Sequence, residues 1–98
     1  MDMRNDATSR LFDAILQLEN IDDCYRFFED LCTIKELRDL SQRFQIAELL
    51  DQGMNYQNIV RAVDTSTTTI SRVNQCLNYG SGGYRSALDR LQAAKEAQ

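Results

Sequence analysis

Apolar residues recur at helical spacing along nearly the whole chain, and no stretch alternates with the period of two that marks a strand. Leu11, Phe12, Ile15, Leu16 and Leu18 follow Asn5-Asp6, a pair that can start a helix. Tyr25, Phe28 and Leu31 follow Asn20 and Asp22, either of which can open a second. Thr33-Ile34-Lys35-Glu36 has the spacing of a capping box, in which hydroxyl and carboxylate reciprocally satisfy free backbone amides. A third helix then carries Leu37, Leu40, Phe44, Ala47 and Leu50 on one stripe and stops at Gly53, which suits the left-handed turn that ends helices. With no proline in the chain, caps and glycines do the punctuation.

Residues 56–77, YQNIVRAVDTSTTTISRVNQCL, read as two short helices joined by a polar turn. The first is expected to bury Ile59, Val60 and Val63, the second Ile70, Val73 and Leu77, each set lying on one helical face. Asp64-Thr65-Ser66-Thr67 has the small hydrogen-bonding side chains that turn a chain and cap the next helix. This is the pattern of a helix-turn-helix, whose second helix lies in the major groove of DNA. Steps of 100° put Thr68, Ser71, Arg72 and Gln75 opposite the buried stripe, as hydroxyls, an amide and a guanidinium able to meet phosphates and base edges. That face carries no acid. After it, Tyr79-Gly80-Ser81-Gly82-Gly83-Tyr84 reads as a sharp reversal, and Ala87, Leu88 and Leu91 mark a last helix. The glycine-rich turn lacks the Lys-Ser/Thr ending of a phosphate-binding loop and follows no strand.

Net charge is −4, which at first argues against a polyanionic partner. Its distribution changes that: residues 1–53 hold six Lys/Arg and twelve Asp/Glu, whereas residues 54–98 hold five and three. The helix-turn-helix thus lies on the mildly basic side, although modest charge per subunit implies modest non-specific affinity for DNA. Cys24, Cys32 and Cys76 form no CxxC pair and the chain has no histidine, so no metal site is expected and the cysteines read as buried free thiols. The missing histidine also removes the commonest general base; no catalytic constellation and no cofactor site is evident. No apolar run approaches the roughly 18 residues that span a bilayer, and no signal-peptide pattern opens the chain, so the expectation is a cytoplasmic protein with no membrane partner.

The first two helices hold more large apolar residues than one narrow stripe needs: Phe12 and Leu16 lie beside Leu11, Ile15 and Leu18, and Phe27 adjoins Phe28. A second subunit is the simplest cover, and a two-fold dimer also presents two recognition helices to successive major grooves.

From Leu31 to Leu91 the chain resembles the bacterial tryptophan-repressor family. The matching pieces are Leu31-Cys32-Thr33 with Glu36, Leu40 and Arg43; Gly53-Met54 with Ile59; and Thr69-Ile70-Ser71-Arg72, in order and correctly spaced apart from a gap near the end of the third helix. The YGSGGY segment looks like one branch of that family. The resemblance implies an all-helical, intertwined dimer with helix-turn-helix heads on a shared core. It also implies a pocket in which tryptophan lies between two arginines, matched here by Arg43 and Arg72, with Thr33 matching a pocket threonine. Two departures argue against tryptophan itself: Val73 stands where the family has glycine, and Cys76 where it has serine. Another small-molecule effector is left open.

The sequence therefore predicts an all-α protein of six helices in a single tryptophan-repressor-like domain, residues 1–98, forming a homodimer. Its expected function is that of a sequence-specific DNA-binding regulator, a repressor by resemblance. Gln57, Ser66, Thr67, Thr68, Thr69, Ser71 and Arg72 are the candidate residues against double-stranded DNA; Thr33, Arg43 and Arg72 are the candidates for an effector. The rival from another class is a helical dimerisation or protein-interaction module that binds no DNA, favoured by the acidic composition. An enzyme ranks well behind both.

Overall fold

A computed structural model describes residues 4–97 of the chain. Six helices follow in order: α1 Asp6–Ile15, α2 Ile21–Leu31, α3 Ile34–Asp51, α4 Tyr56–Val63, α5 Thr67–Tyr79 and α6 Gly83–Glu96, with no strand among the described residues. Short polar side chains set most of the boundaries. Asn5 accepts from Thr8 N–H at 2.8 Å, Asn20 from Asp23 N–H at 2.8 Å and Asn55 from Asn58 N–H at 2.9 Å. At α3 the capping box closes both ways: Thr33 Oγ1 accepts from Glu36 N–H at 3.1 Å, and Glu36 Oε1 accepts from Thr33 N–H at 2.8 Å. The amide and hydroxyl of Thr33 hold the Glu36 carboxyl below its usual range.

Gly53, at φ +86°, ends α3 in a Schellman turn: its own N–H donates to Leu50 O and the Met54 N–H to Leu49 O, both at 3.0 Å. Met54 and Leu49 accompany this by packing against the same core. At the end of α5 only glycine fits position 80, because a Cβ there would lie 2.3 Å from the Cys76 carbonyl oxygen.

The chain forms two compact units, one up to Leu37 and one from Arg38, so the boundary falls inside α3. In the first unit neither α1 nor α2 buries a residue completely. Phe27 and Phe28 meet edge to face with ring centroids 5.6 Å apart, while Phe12, Leu16, Ile21, Tyr25, Leu31 and Ile34 stay exposed, Leu16 and Ile34 each at 79 %. Arg26 forms an ion pair with Asp23 one turn back.

The second unit owns the core: Ile46 and Ala47 of α3, Ile59 of α4, Ile70 and Val73 of α5, and Leu88 of α6. Several expectations need correction against it. Ile46 is fully buried although it lies off the expected α3 stripe, and Leu40, on the stripe, is 42 % exposed. The reason is that α4, α5 and α6 converge on the carboxyl-terminal half of α3, and the face they cover there is wider than one row. Val60, Val63 and Leu77 are half-buried at its edge, and Leu91 is exposed. The cysteines are free thiols but not buried ones: Cys24 and Cys76 are exposed and Cys32 is half-buried. Cys76 sits beside, not on, the inward row of Ile70, Val73 and Leu77.

Arg85 of α6 bolts the end of α3. Its Nη1 and Nη2 donate to the two oxygens of Asp51 at 2.7 and 3.0 Å, and its Nε donates to Asp89 at 3.1 Å. The hydrogen bonds from Arg85 hold the Asp51 carboxyl below the usual carboxylate range, and they raise the pKa of Arg85. Folding therefore favours ionised Asp51. The stabilisation is complete above the carboxyl's ordinary pKa and disappears as pH falls through the lowered native value. Asp51→Asn should accordingly lower the melting temperature slightly near neutral pH, by the small amount typical of an exposed pair, with the gap closing on acidification. A gap that widens in acid would show that the bolt does not titrate this way.

Candidate nucleic-acid interface

The helix-turn-helix is formed by α4, the turn 64–66 and α5, all within the second unit. Asp64 turns the chain in the left-handed region, at φ +52° and ψ +60°, which a short polar side chain tolerates better than a branched one. Ser66 then caps α5, its Oγ accepting from Thr69 N–H at 3.2 Å and lying 3.1 Å from Thr69 Oγ1. Ile59, Ile70 and Val73 seat the two helices on α3 from the inside. That seating fixes which face of α5 is left outward.

The outward face carries the residues that helical geometry assigns to it. Thr67, Thr68, Ser71, Arg72 and Gln75 are exposed, and α5 contains no acidic residue from Thr67 to Tyr79. Gln57 is exposed in the first turn of α4, and Arg61 is exposed in its last turn. Arg61 is absent from the expected set, yet it adds positive charge to the same motif. Ser66 and Thr69 are differently placed from their neighbours: they spend hydrogen bonds on the cap, and Thr69 is half-buried. The amino-terminal end of α5, where the helix dipole is positive, lies at the exposed hydroxyls of Thr67 and Thr68, an arrangement suited to phosphate and base edges.

The expected effector residues are less coherent. Arg43 and Arg72 are both exposed, on α3 and α5 of the second unit. Thr33 belongs to the first unit, and its hydroxyl accepts from Glu36 N–H to cap α3. Val73 is only 2 % exposed and is part of the core, so its side chain fills space inside the unit. Cys76 lines a shallow groove of about 350 Å³ with Phe44, Ser81, Gly83, Tyr84 and Ala87. No group of His, Cys, Asp or Glu among the described residues could hold a metal ion, and no described helix is long and apolar enough to cross a membrane.

Comparison with known proteins agrees with this architecture. A family model described as Trp repressor protein matches residues 7–92. The uncharacterized protein YerC from Bacillus subtilis (strain 168) is 47% identical over 90 residues, covering 92% of this chain and 86% of YerC. A crystal structure of a candidate Trp repressor from Staphylococcus aureus superposes with a TM-score of 0.87 at 48% identity, covering 92% of this chain and 90% of that one. A TrpR like protein from Eubacterium eligens ATCC 27750 gives a TM-score of 0.88 at 47% identity, over 92% and 93% of the two chains. Likeness of sequence and of fold, each over nine tenths of the chain, leads to one assignment: this protein belongs to the Trp repressor protein family, a family of DNA-binding regulators and not of enzymes.

Proposed function

We propose that the chain, as one functional domain over residues 1–98, is a sequence-specific transcriptional repressor that binds double-stranded DNA as a homodimer. The acid-free outward face of α5 carries this reading, with Thr67, Thr68, Ser71 and Arg72 exposed on a helix whose opposite side is locked into the core. Gln57 at the start of α4 contacts the backbone and helps to position the head, while Ser66 and Thr69 shape the amino-terminal end of α5 that faces DNA. The dimer is supported by the apolar residues that α1, α2 and the start of α3 leave uncovered, from Phe12 to Ile34. Such a surface costs free energy in water and is offset when a partner covers it. The protein works in the cytoplasm, beside the DNA it reads.

Tryptophan is not the effector in this reading, because Val73 and Cys76 stand where the family has the glycine and serine of its pocket. Arg43 and Arg72, both exposed in the second unit, remain the side chains for a smaller anion.

Two measurements test the proposal together. Light scattering at micromolar concentration should give twice the 11.3 kDa of one chain, and selection from pooled random duplexes should recover a two-fold symmetric site whose half-sites are spaced by about one helical turn or a multiple of it. Adding millimolar tryptophan should change neither result. A mass of one chain that persists as concentration rises, or a selected pool with no symmetry, contradicts the dimeric reader.

A further inference from the structure

The carbonyl that ends α4 is met by a side chain from outside the helix-turn-helix. Gln42, on α3, donates from Nε2 to Val63 O at 3.1 Å, across 21 residues of sequence and in a partly buried setting. The last carbonyls of a helix have no partner within it and must find one elsewhere. The next residue, Asp64, is the one non-glycine residue at positive φ among those described, and its N–H closes back onto Val60 O. Arg38, Ser41, Gln42, Gln45, Val63 and Asp64 line one groove of about 360 Å³, so the polar side of α3 runs along the turn. Because residues 64–66 set the angle at which α5 leaves α4, an anchor at Val63 fixes the recognition helix relative to α3.

We propose that Gln42 is a positioning residue for DNA binding: its amide holds the turn of the helix-turn-helix, and with it Thr67, Thr68, Ser71 and Arg72, in the pose that meets DNA. The inference rests on the DNA-binding reading above. Gln42 touches no base itself. It acts through Val63, and contacts aimed at base edges lose much of their value when their support is loose. Gln42→Leu keeps most of the volume and removes the donor, whereas Gln42→Glu turns a second acceptor toward the carbonyl.

The test uses the full chain, with amide hydrogen exchange, thermal melting and affinity for a selected duplex measured on each variant. Both substitutions should speed exchange at Asp64, Thr65 and Ser66 while the amides of Ile46 and Ile70 keep their protection. Affinity should fall about fivefold or more, the equivalent of one lost hydrogen bond, at a temperature well below the melting midpoint, where every molecule is folded. A residue that only adds stability would lower the melting temperature and leave affinity unchanged there, which would overturn the positioning role. Gln42→Asn, polar and shorter by one methylene, gives the same two readings if the leucine variant fails to fold. If the wild-type protein itself selects no duplex, the DNA-binding reading fails and carries the DNA part of this inference with it. Exchange then decides separately whether Gln42 holds the turn, and unchanged exchange at residues 64–66 would overturn that as well.

Discussion

Thr68→Glu should abolish specific DNA binding, weakening affinity for a selected duplex by about a hundredfold or more while the helical circular dichroism and the molecular mass stay unchanged. Thr68 is exposed near the amino terminus of α5, where a recognition helix brings side chains to base edges and phosphates. A carboxylate there removes a small hydroxyl and places a negative charge against the phosphate backbone. Loss of a good base contact costs about 1–3 kcal/mol, and like charges brought together at an interface cost several more. A hundredfold is about 2.8 kcal/mol, below that sum. Folding should be unaffected, because the side chain is exposed and a carboxylate in the first turn of a helix is favourable to the dipole. A mobility-shift titration reads the effect directly; unchanged affinity would remove Thr68 from the interface.

Ile70→Ala carries the largest expected effect on stability, about 3 kcal/mol. Ile70 is fully buried and lies in the cluster that joins α3, α4, α5 and α6. Removing its side-chain carbons loses their transfer free energy and leaves a cavity that the surrounding helices fill only in part, at a cost of about 2–5 kcal/mol for isoleucine to alanine. For a domain of this length that is a fall in melting temperature of roughly 12–24 °C. Melting must be compared at one protein concentration, since association raises apparent stability by mass action. DNA affinity should fall too, because Ile70 seats the helix that carries Thr68 and Ser71. A loss of less than about 1 kcal/mol would place Ile70 outside the core.

Local features were the legible ones. Asn5, Asn20, Thr33 with Glu36, Gly53 and Ser66 set helix ends through contacts three to five residues long, and the sequence displays both partners of each. The outward face of α5 was legible for the same reason, since a single helix repeats at 100° and its inward residues were plain. Burial on α3 was not: whether Ile46 or Leu40 is covered depends on where α4, α5 and α6 converge, which no short window of sequence contains. The exposed thiols of Cys24 and Cys76 depart from expectation on the same ground, because composition favours buried cysteine while position relative to the core decides it. Gln42 had no signature at all. A polar residue on a helix normally faces solvent, and its partner, the Val63 carbonyl, is a backbone atom far along the chain. Arg85 with Asp51 was hidden likewise, by a separation of 34 positions along the chain.

In the proposed function α5 reads base sequence and does not merely attract phosphate. Titrating the selected duplex against a scrambled duplex of equal length, at physiological salt, separates the two modes of binding. Specific sites typically bind about 10³-fold or more tighter than random DNA, whereas counterion release alone treats both duplexes alike. A base-reading α5 gives a ratio of at least about a thousand, which Thr68→Glu should lower to about ten or less. Equal affinity of the wild-type protein for the two duplexes, falling steeply and in parallel as salt is raised, would contradict it.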